Sequence, residues 1–306
     1  MNEAALKPLA IAVSVIAGAF MAVQARVNGG LGVELQNGML AALISFGSGL
    51  LIVTAILLFS PKAQSNLSTL RAAVTSGRLP WWNLFAGAIG GFFVITQGVV
   101  AGVIGIALFS VGVVFGQAVS ALVIDGNGLL GMTKRPIGMA RIVGTQVALF
   151  GLVLASDLTN YAFSPLVLLP LFAGAGIGFQ QAMNGRLGKA AKSPTLATFL
   201  NFLTGTAFIA IAMLVVQGGI TLPETLPGNP LLYIGGIVGV VFIYVQVVVV
   251  PKIGALAMGI SLLVGQLSGS LALDHLIPVA QRELTLVSIL GLLLVLAGAT
   301  VVALRR

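Results

Sequence analysis

Ten apolar runs of about 17–22 residues divide the sequence, and each is long enough to cross a hydrocarbon core of roughly 30 Å as an α-helix. They cover approximately 8–25, 38–59, 82–101, 104–124, 138–155, 163–183, 195–216, 230–250, 253–274 and 284–303. The breaks between them are polar or carry Pro and Gly: SPKAQSNLSTL (Ser60–Leu70), DGNGLLGMTKRP (Asp125–Pro136), SDLTN (Ser156–Asn160), KSP (Lys192–Pro194) and TLPETLPGNP (Thr221–Pro230). Each reads as a loop. A membrane strand needs only about 10 residues, so run length selects helices over a barrel. Composition agrees, with 58% hydrophobic and 7% charged residues against about 45–50% and about 25% in soluble domains. The 40 glycines suit close helix packing in lipid. The expected fold class is an all-α integral membrane protein with ten transmembrane helices.

The first run carries Lys7 and small residues near Ala25, as a cleavable signal peptide would. Its wording recurs in the sixth run, where cleavage has no meaning, so it reads as a retained helix. Ten spans put both termini on one side, and every Lys and Arg of the 15 falls there except Arg26 and Arg282. Basic loops mark the cytoplasmic face, so both termini are expected in the cytoplasm. Because these charges are spread over short loops, the net charge of +8 reads as a topology signal, and no nucleic-acid partner is expected.

The chain writes itself twice. GAFMAVQARVNGGLG (Gly18–Gly32) is echoed by GAGIGFQQAMNGRLG (Gly174–Gly188), and LISFGSG (Leu43–Gly49) by FLNFLTG (Phe199–Gly205), both at an offset of 156. The offset then becomes 149, where GGFFVITQ (Gly90–Gln97) answers GVVFIYVQ (Gly239–Gln246), Gly116-Gln117 answers Gly265-Gln266, and Asp125 answers Asp274. Gly144 and Gly151 pair with Gly291 and Gly298 at 147. Two five-helix units are expected, residues 1–157 and 158–306. Five is odd, so the second unit enters the membrane from the opposite face. Charge agrees: the connection after the second helix carries Lys62, Arg71 and Arg78, and its counterpart after the seventh carries no basic residue. Inverted repeats are a recurrent transporter architecture, with substrate bound between the halves near the midplane. An uncoupled uniporter or channel and a non-transporting scaffold are the alternatives.

Polar side chains inside spans are costly and face a cavity or another helix. Three amide pairs occupy matched positions: Gln24 with Gln180, Gln97 with Gln246, and Gln117 with Gln266. Amides donate and accept without charge, which suits a small polar, zwitterionic or amphipathic solute; the competing reading is interhelical glue. Asn28 and Asn184 follow one turn after Gln24 and Gln180 and stand before glycines, so they read as helix-ending turns that remain binding candidates. Asn201 and its counterpart Ser45 read as packing, Arg141 as an anchor on the inner side, and Asp125 and Asp274 as solvated helix ends. No Asp, Glu, Lys or His falls in the middle third of a span, so a midplane carboxylate is not the proton carrier.

Without cysteine there are no disulfides or thiolate metal sites, and one His leaves metal or Ser/His chemistry without partners. There is also no GxxxxGK[ST] or HExxH run. No enzyme activity, cofactor or metal is expected. The partners expected are a small-molecule substrate and membrane lipid, with a homodimer left open.

The phrases QARVNGGLG (Gln24–Gly32) and FQQAMNGRLG (Phe179–Gly188), followed by AALISFGSG (Ala41–Gly49) and ATFLNFLTG (Ala197–Gly205), resemble the YdcZ-like family of the drug/metabolite transporter (DMT) superfamily. The chain looks like a fused form of a five-helix unit. The resemblance implies a bacterial inner-membrane exporter. It also implies that the first, third, fourth, sixth, eighth and ninth spans, which bear the three Gln pairs, line the cavity. The membrane-embedded Glu on the first helix of the small multidrug-resistance branch is absent, so that antiport mechanism is not carried over.

Overall fold

Helices follow one another with short connections, and no strand occurs among the described residues, which in this computed structural model are 3–104, 106–155, 166, 168–276 and 286–304. The order is α1 (Glu3–Glu34), α2 (Gly38–Leu58), α3 (Pro61–Thr75), α4 (Ala86–Ile104), α5 (Ile106–Asn127), α6 (Met139–Ala155), α7 (Leu168–Ala191), α8 (Pro194–Gln217), α9 (Gly235–Ile253), α10 (Ala255–Leu276) and α11 (Leu286–Leu304). Among the described residues, Lys7–Glu34, Gly38–Leu58, Pro194–Gln217 and Pro230–Ile253 are long and apolar enough to cross a membrane, and shorter apolar stretches lie in α4, α6, α10 and α11. Outward faces are greasy: Leu51 is 73% and Val215 79% exposed. That surface is stable against lipid tails and unfavourable against water. The expected loop at Ser156–Asn160 lies outside the described residues.

Two expectations about helix ends are corrected. The first and sixth spans were to stop near 25 and 183, yet α1 continues to Glu34 and α7 to Ala191. The Asn-Gly steps are no obstacle: neither they nor the residues after them carry a proline or a positive φ, so the hydrogen-bond ladder runs on. The helices break instead at Gln36 (φ 52) and Lys192 (φ 51), two non-glycine residues in the left-handed region. An N-cap follows each break. The Asn37 side chain accepts the Leu40 N–H at 3.0 Å, and Ser193 Oγ accepts that of Leu196 at 3.2 Å.

The loop expected at Ser60–Leu70 is largely helix. Ser60 caps α3 by accepting the Ala63 N–H at 3.3 Å, and Pro61 begins it with φ already set. Ala63, Leu70 and Ala73 are buried while Lys62, Gln64, Ser65, Ser68 and Arg71 are exposed, so α3 is a polar helix held by a narrow apolar edge against α7, α8 and α2. The corresponding connection after α8, residues 218–229, contains no helix.

Contacts between helices come in pairs that obey the sequence offsets. A Cβ on Gly174 of α7 would strike the Val113 carbonyl of α5, and one on Gly116 would strike that of Leu171. At the matching positions, Gly18 of α1 lies on the Leu262 carbonyl of α10, and Gly265 on that of Val15. The pattern repeats at Gly151 against the Gly291 carbonyl (2.6 Å) and Gly298 against that of Gly144. The Phe202 ring lies over Gly49 and the Phe46 ring over Gly205, with the two rings 5.4 Å apart. Thus α1 packs on α10 and α9, α7 on α5 and α4, α2 on α8, and α6 on α11.

Helix association in lipid depends on this close packing. Gly116→Val and Gly265→Val are each expected to destabilise the protein by about 1–3 kcal/mol, with a lower apparent melting temperature in detergent. Gly29→Ala, where nothing lies within 4 Å of the new Cβ, should leave it nearly unchanged.

Candidate functional site

Gln24 and Gln180 occupy equivalent places. The Gln24 amide lies 2.8 Å from where a Cβ would stand on Gly239 of α9, and the Gln180 amide 2.5 Å from the same point on Gly90 of α4. Gly90 and Gly239 are themselves a matched pair, so each half lays an amide across a glycine of the other. Gln24 Nε2 also donates to the Gly235 carbonyl at 2.9 Å. One turn later, Asn28 Oδ1 is buried against Gly235 with no partner among the described residues. Asn28 is therefore inside a helix and clasps the first turn of α9, and it does not end α1.

The second half departs from this symmetry. Asn184, also inside its helix and fully buried, accepts from Asn201 Nδ2 at 3.1 Å and donates to Gln246 Oε1 at 3.4 Å, a weak link. Asn201, expected only to pack, thus belongs to a buried amide chain spanning α7, α8 and α9. Gly235 and Gln246 are eleven residues apart on α9, or about 16 Å along its axis at 1.5 Å per residue. Along α9 the expected site residues therefore gather at two places, Gln24 and Asn28 at Gly235 and Asn184 at Gln246, not at one site. The Gln117 amide lies 3.0 Å from where a Cβ would stand on Gly259 of α10, and Gln266 is half-buried. Gln97 lies on α4, and its side chain is outside the described residues.

Burial is one-sided. Gln180, Gln181, Met183 and Asn184 of α7 are all buried, whereas Gln24, Val27 and Asn28 of α1 are only half-buried. Helix α7 packs along α9, and among the described residues the counterparts α1 and α4 do not pack in this way. Two cavities lie elsewhere. One of about 190 Å³ is lined by Leu9, Ala10, Val13, Val248, Val249 and Lys252. One of about 210 Å³ is lined by Leu35, Gln36, Asn37, Leu40, Thr221, Leu222 and Pro223. Neither includes an expected site residue.

The same end of α9 meets a buried ion pair. Asp125, expected as a solvated helix end, is fully buried, and Arg141, expected as an inner anchor, is 8% exposed. Asp125 Oδ2 accepts from Arg141 Nη2 at 2.9 Å, and the carboxylate also takes the Ala255 and Leu256 N–H groups at 3.0 and 3.3 Å. Those are the first residues of α10, whose free N–H groups and dipole favour an anion. Arg141 further donates to the Arg135 carbonyl at 2.9 Å, and Arg135 donates to that of Lys252 at 2.9 Å. Gly254, at φ +89, closes the turn from α9 into α10, and a Cβ there would press on Asp125. One carboxylate thereby ties the ends of α5 and α9 to the starts of α6 and α10. Among the described residues the arrangement occurs once; Ser288 stands at the position matching Arg141, and the Asp274 and His275 side chains lie outside the described residues. Among the described residues, no three His, Cys, Asp or Glu side chains come together as metal ligands would.

The profile of a family described as "Putative inner membrane exporter, YdcZ" matches residues 9–154 and again 165–301. The chain belongs to the YdcZ family. The family model thus matches two regions of the chain, and with the apolar helices of the described residues this makes it an all-helical, membrane-embedded protein. No curated protein matches the chain. A solved structure titled "Crystal structure of protein" shares the fold, with a TM-score of 0.65 at 17% identity over 96% of this chain and 94% of the other.

For this YdcZ-family chain, removing one partner of the buried pair strands the other charge, at a cost of about 3–5 kcal/mol. Asp125→Ala and Arg141→Leu should each lower the apparent melting temperature sharply. The double variant should recover part of the loss, because no isolated charge is left buried. Additive losses in this double-mutant cycle would mean that the two side chains do not act as a pair.

Proposed function

We propose that the chain is a secondary transporter that exports a small polar, zwitterionic or amphipathic solute across the bacterial inner membrane by alternating access. Ten helices span the membrane in this reading, α3 lies on the cytoplasmic surface, and both termini are cytoplasmic. Residues 1–157 and 158–306 are the two units, inverted with respect to each other. The observation that carries the reading is the pairing of contacts at fixed sequence offsets, combined with one-sided closure. Equivalent helices touch equivalent neighbours, yet α7 is closed onto α9 while α1 is not closed onto α4. A symmetric framework in an asymmetric state has an alternative state of similar energy, reached by exchanging the conformations of its halves.

Charge orients the closure. Arg186, Lys189 and Lys192 follow Asn184, and Lys134, Arg135 and Lys252 surround Asp125, so the closed end is the basic, cytoplasmic one. The amide chain and the ion pair are then the inner seal, and the half-buried Gln24 and Asn28 line the outward side. Opening inward separates Asp125 from the Ala255 and Leu256 N–H groups of α10 and Arg135 from the Lys252 carbonyl. Solute is held between the halves by the amides, with Gln24 and Gln180 the equivalent contacts on the two sides.

Ser65 on α3 and Thr225 in the connection after α8 are both exposed. Single cysteines at these positions in the cysteine-free chain should react with a membrane-impermeant maleimide from opposite faces, Ser65→Cys only in inside-out vesicles and Thr225→Cys only in right-side-out vesicles. Labelling of both from one face would refute the inversion.

A further inference from the structure

Gln181 stands beside the matched Gln180 and has no amide counterpart, Ala25 taking the equivalent place in α1. It is fully buried, and neither its Oε1 nor its Nε2 has a partner among the described residues. A carboxamide offers two donor hydrogens and an acceptor oxygen, and burying them unpaired costs folding free energy that an apolar side chain of the same shape would spare. On α7, Gly178 lies against Ser120 of α5 and Gly185 against Pro251 of α9, each about one turn from Gln181 on one face. Gln181 is thus set where α5, α7 and α9 meet, next to the amide chain of Asn184, Asn201 and Gln246. That chain has unpartnered atoms of its own, the acceptor Asn201 Oδ1 and the donor Gln246 Nε2.

We propose that Gln181 is a specificity-determining residue for the transported solute, reading an uncharged group that both donates and accepts hydrogen bonds, of which a carboxamide is the best match. The inference rests on the transport reading above and narrows its substrate class. A cation would be met by acceptors alone and an anion by donors alone. Here the unpartnered atoms are two acceptors, Gln181 Oε1 and Asn201 Oδ1, and two donors, Gln181 Nε2 and Gln246 Nε2, with no charge among them. A neutral group of mixed character can meet both the donors and the acceptors without bringing an uncompensated charge into the interior. Because Gln181 has no amide counterpart, the binding surface is not two-fold symmetric, which suits a solute with one polar end.

The test uses purified full-length protein in detergent and three probes on one carbon skeleton: isovaleramide, the isovalerate anion and the isoamylammonium cation. Gln181→Leu without ligand is expected to raise the melting temperature by a few degrees, since it removes an unpaired buried amide. Isovaleramide should raise the melting temperature of the unaltered protein more than either charged probe, and this shift should vanish in Gln181→Leu. Gln181→Met, also apolar and unbranched, provides the same comparison should the leucine variant not fold. A lower melting temperature in the apolar variants would make Gln181 a structural amide and overturn the proposal. So would an isovaleramide shift retained in the variants, a larger shift with a charged probe, or no shift with any probe. Maleimide labelling from opposite faces does not involve Gln181, so labelling that succeeds while isovaleramide fails rejects the specificity and leaves the inverted architecture standing.

Discussion

The helices hold together because glycines let one backbone rest on another. Lipid tails are as apolar as leucine, so burial from water gives two membrane helices no reason to associate, and dispersion contacts at short range must supply the attraction. At Gly18, Gly116, Gly174 and Gly265 the neighbouring helix presents its carbonyl where a side chain would begin. These four contacts are one contact made twice on each side of the molecule. The register between α1 and α10, and equally between α7 and α5, is set by them. An interface of small residues also leaves few interlocked side chains to unlock, which in the proposed transport reading suits helices that tilt past one another.

What breaks the symmetry is polar. The ion pair of Asp125 and Arg141 joins α5 to α6, the amide chain from Asn201 to Gln246 joins α8, α7 and α9, and both lie toward the C-terminal end of α9. Such groups gain their strength from the low dielectric around them and lose it if water enters. Such contacts are stable while dry and weaken as they are wetted, which in the transport reading proposed above suits the end of a pathway that opens. Helix α10 is held through its first two N–H groups, so moving Asp125 moves the whole helix and, through Gly265 and Gly18, α1 as well.

Much of this fold was legible in the sequence, and the losses have physical causes. Apolar runs located the long helices of the described residues because so apolar a stretch is stable only against lipid or another helix. The echo at 156 and 149 named the equivalent positions, and contacts such as Gln24 over Gly239 and Gln180 over Gly90 fall on them, though the contacts themselves were not legible in the sequence. Helix ends were misjudged because Asn-Gly usually stops a helix in water, while in a membrane the backbone must stay hydrogen-bonded and the helix continues. Helix α3 was hidden by having only three buried apolar positions. Asp125 looked solvated because a carboxylate at the end of a span normally is, and nothing local reveals that Arg141 and the start of α10 enclose it. Gln181 escaped because matched positions drew the reading, and its counterpart is Ala25; the doubled Gln in FQQAMNG was the only signal. Asn201 was dismissed for the same reason, with Ser45 opposite.

The central claim, that two equivalent halves exchange conformations across the membrane, is tested most directly at one matched pair of positions. Val27 is half-buried in α1 and its counterpart Met183 is buried in α7. Cysteines placed singly at each would be followed with a water-soluble maleimide in oriented vesicles, in otherwise unaltered protein and in protein carrying Asp125→Asn to loosen the inner seal. The account predicts reciprocal reactivity: position 27 reacts from outside when the seal is intact, and loosening it lowers that rate while position 183 becomes reactive from the cytoplasmic face. If position 183 stays unreactive, or if both rates rise together, the halves do not exchange and the account is wrong.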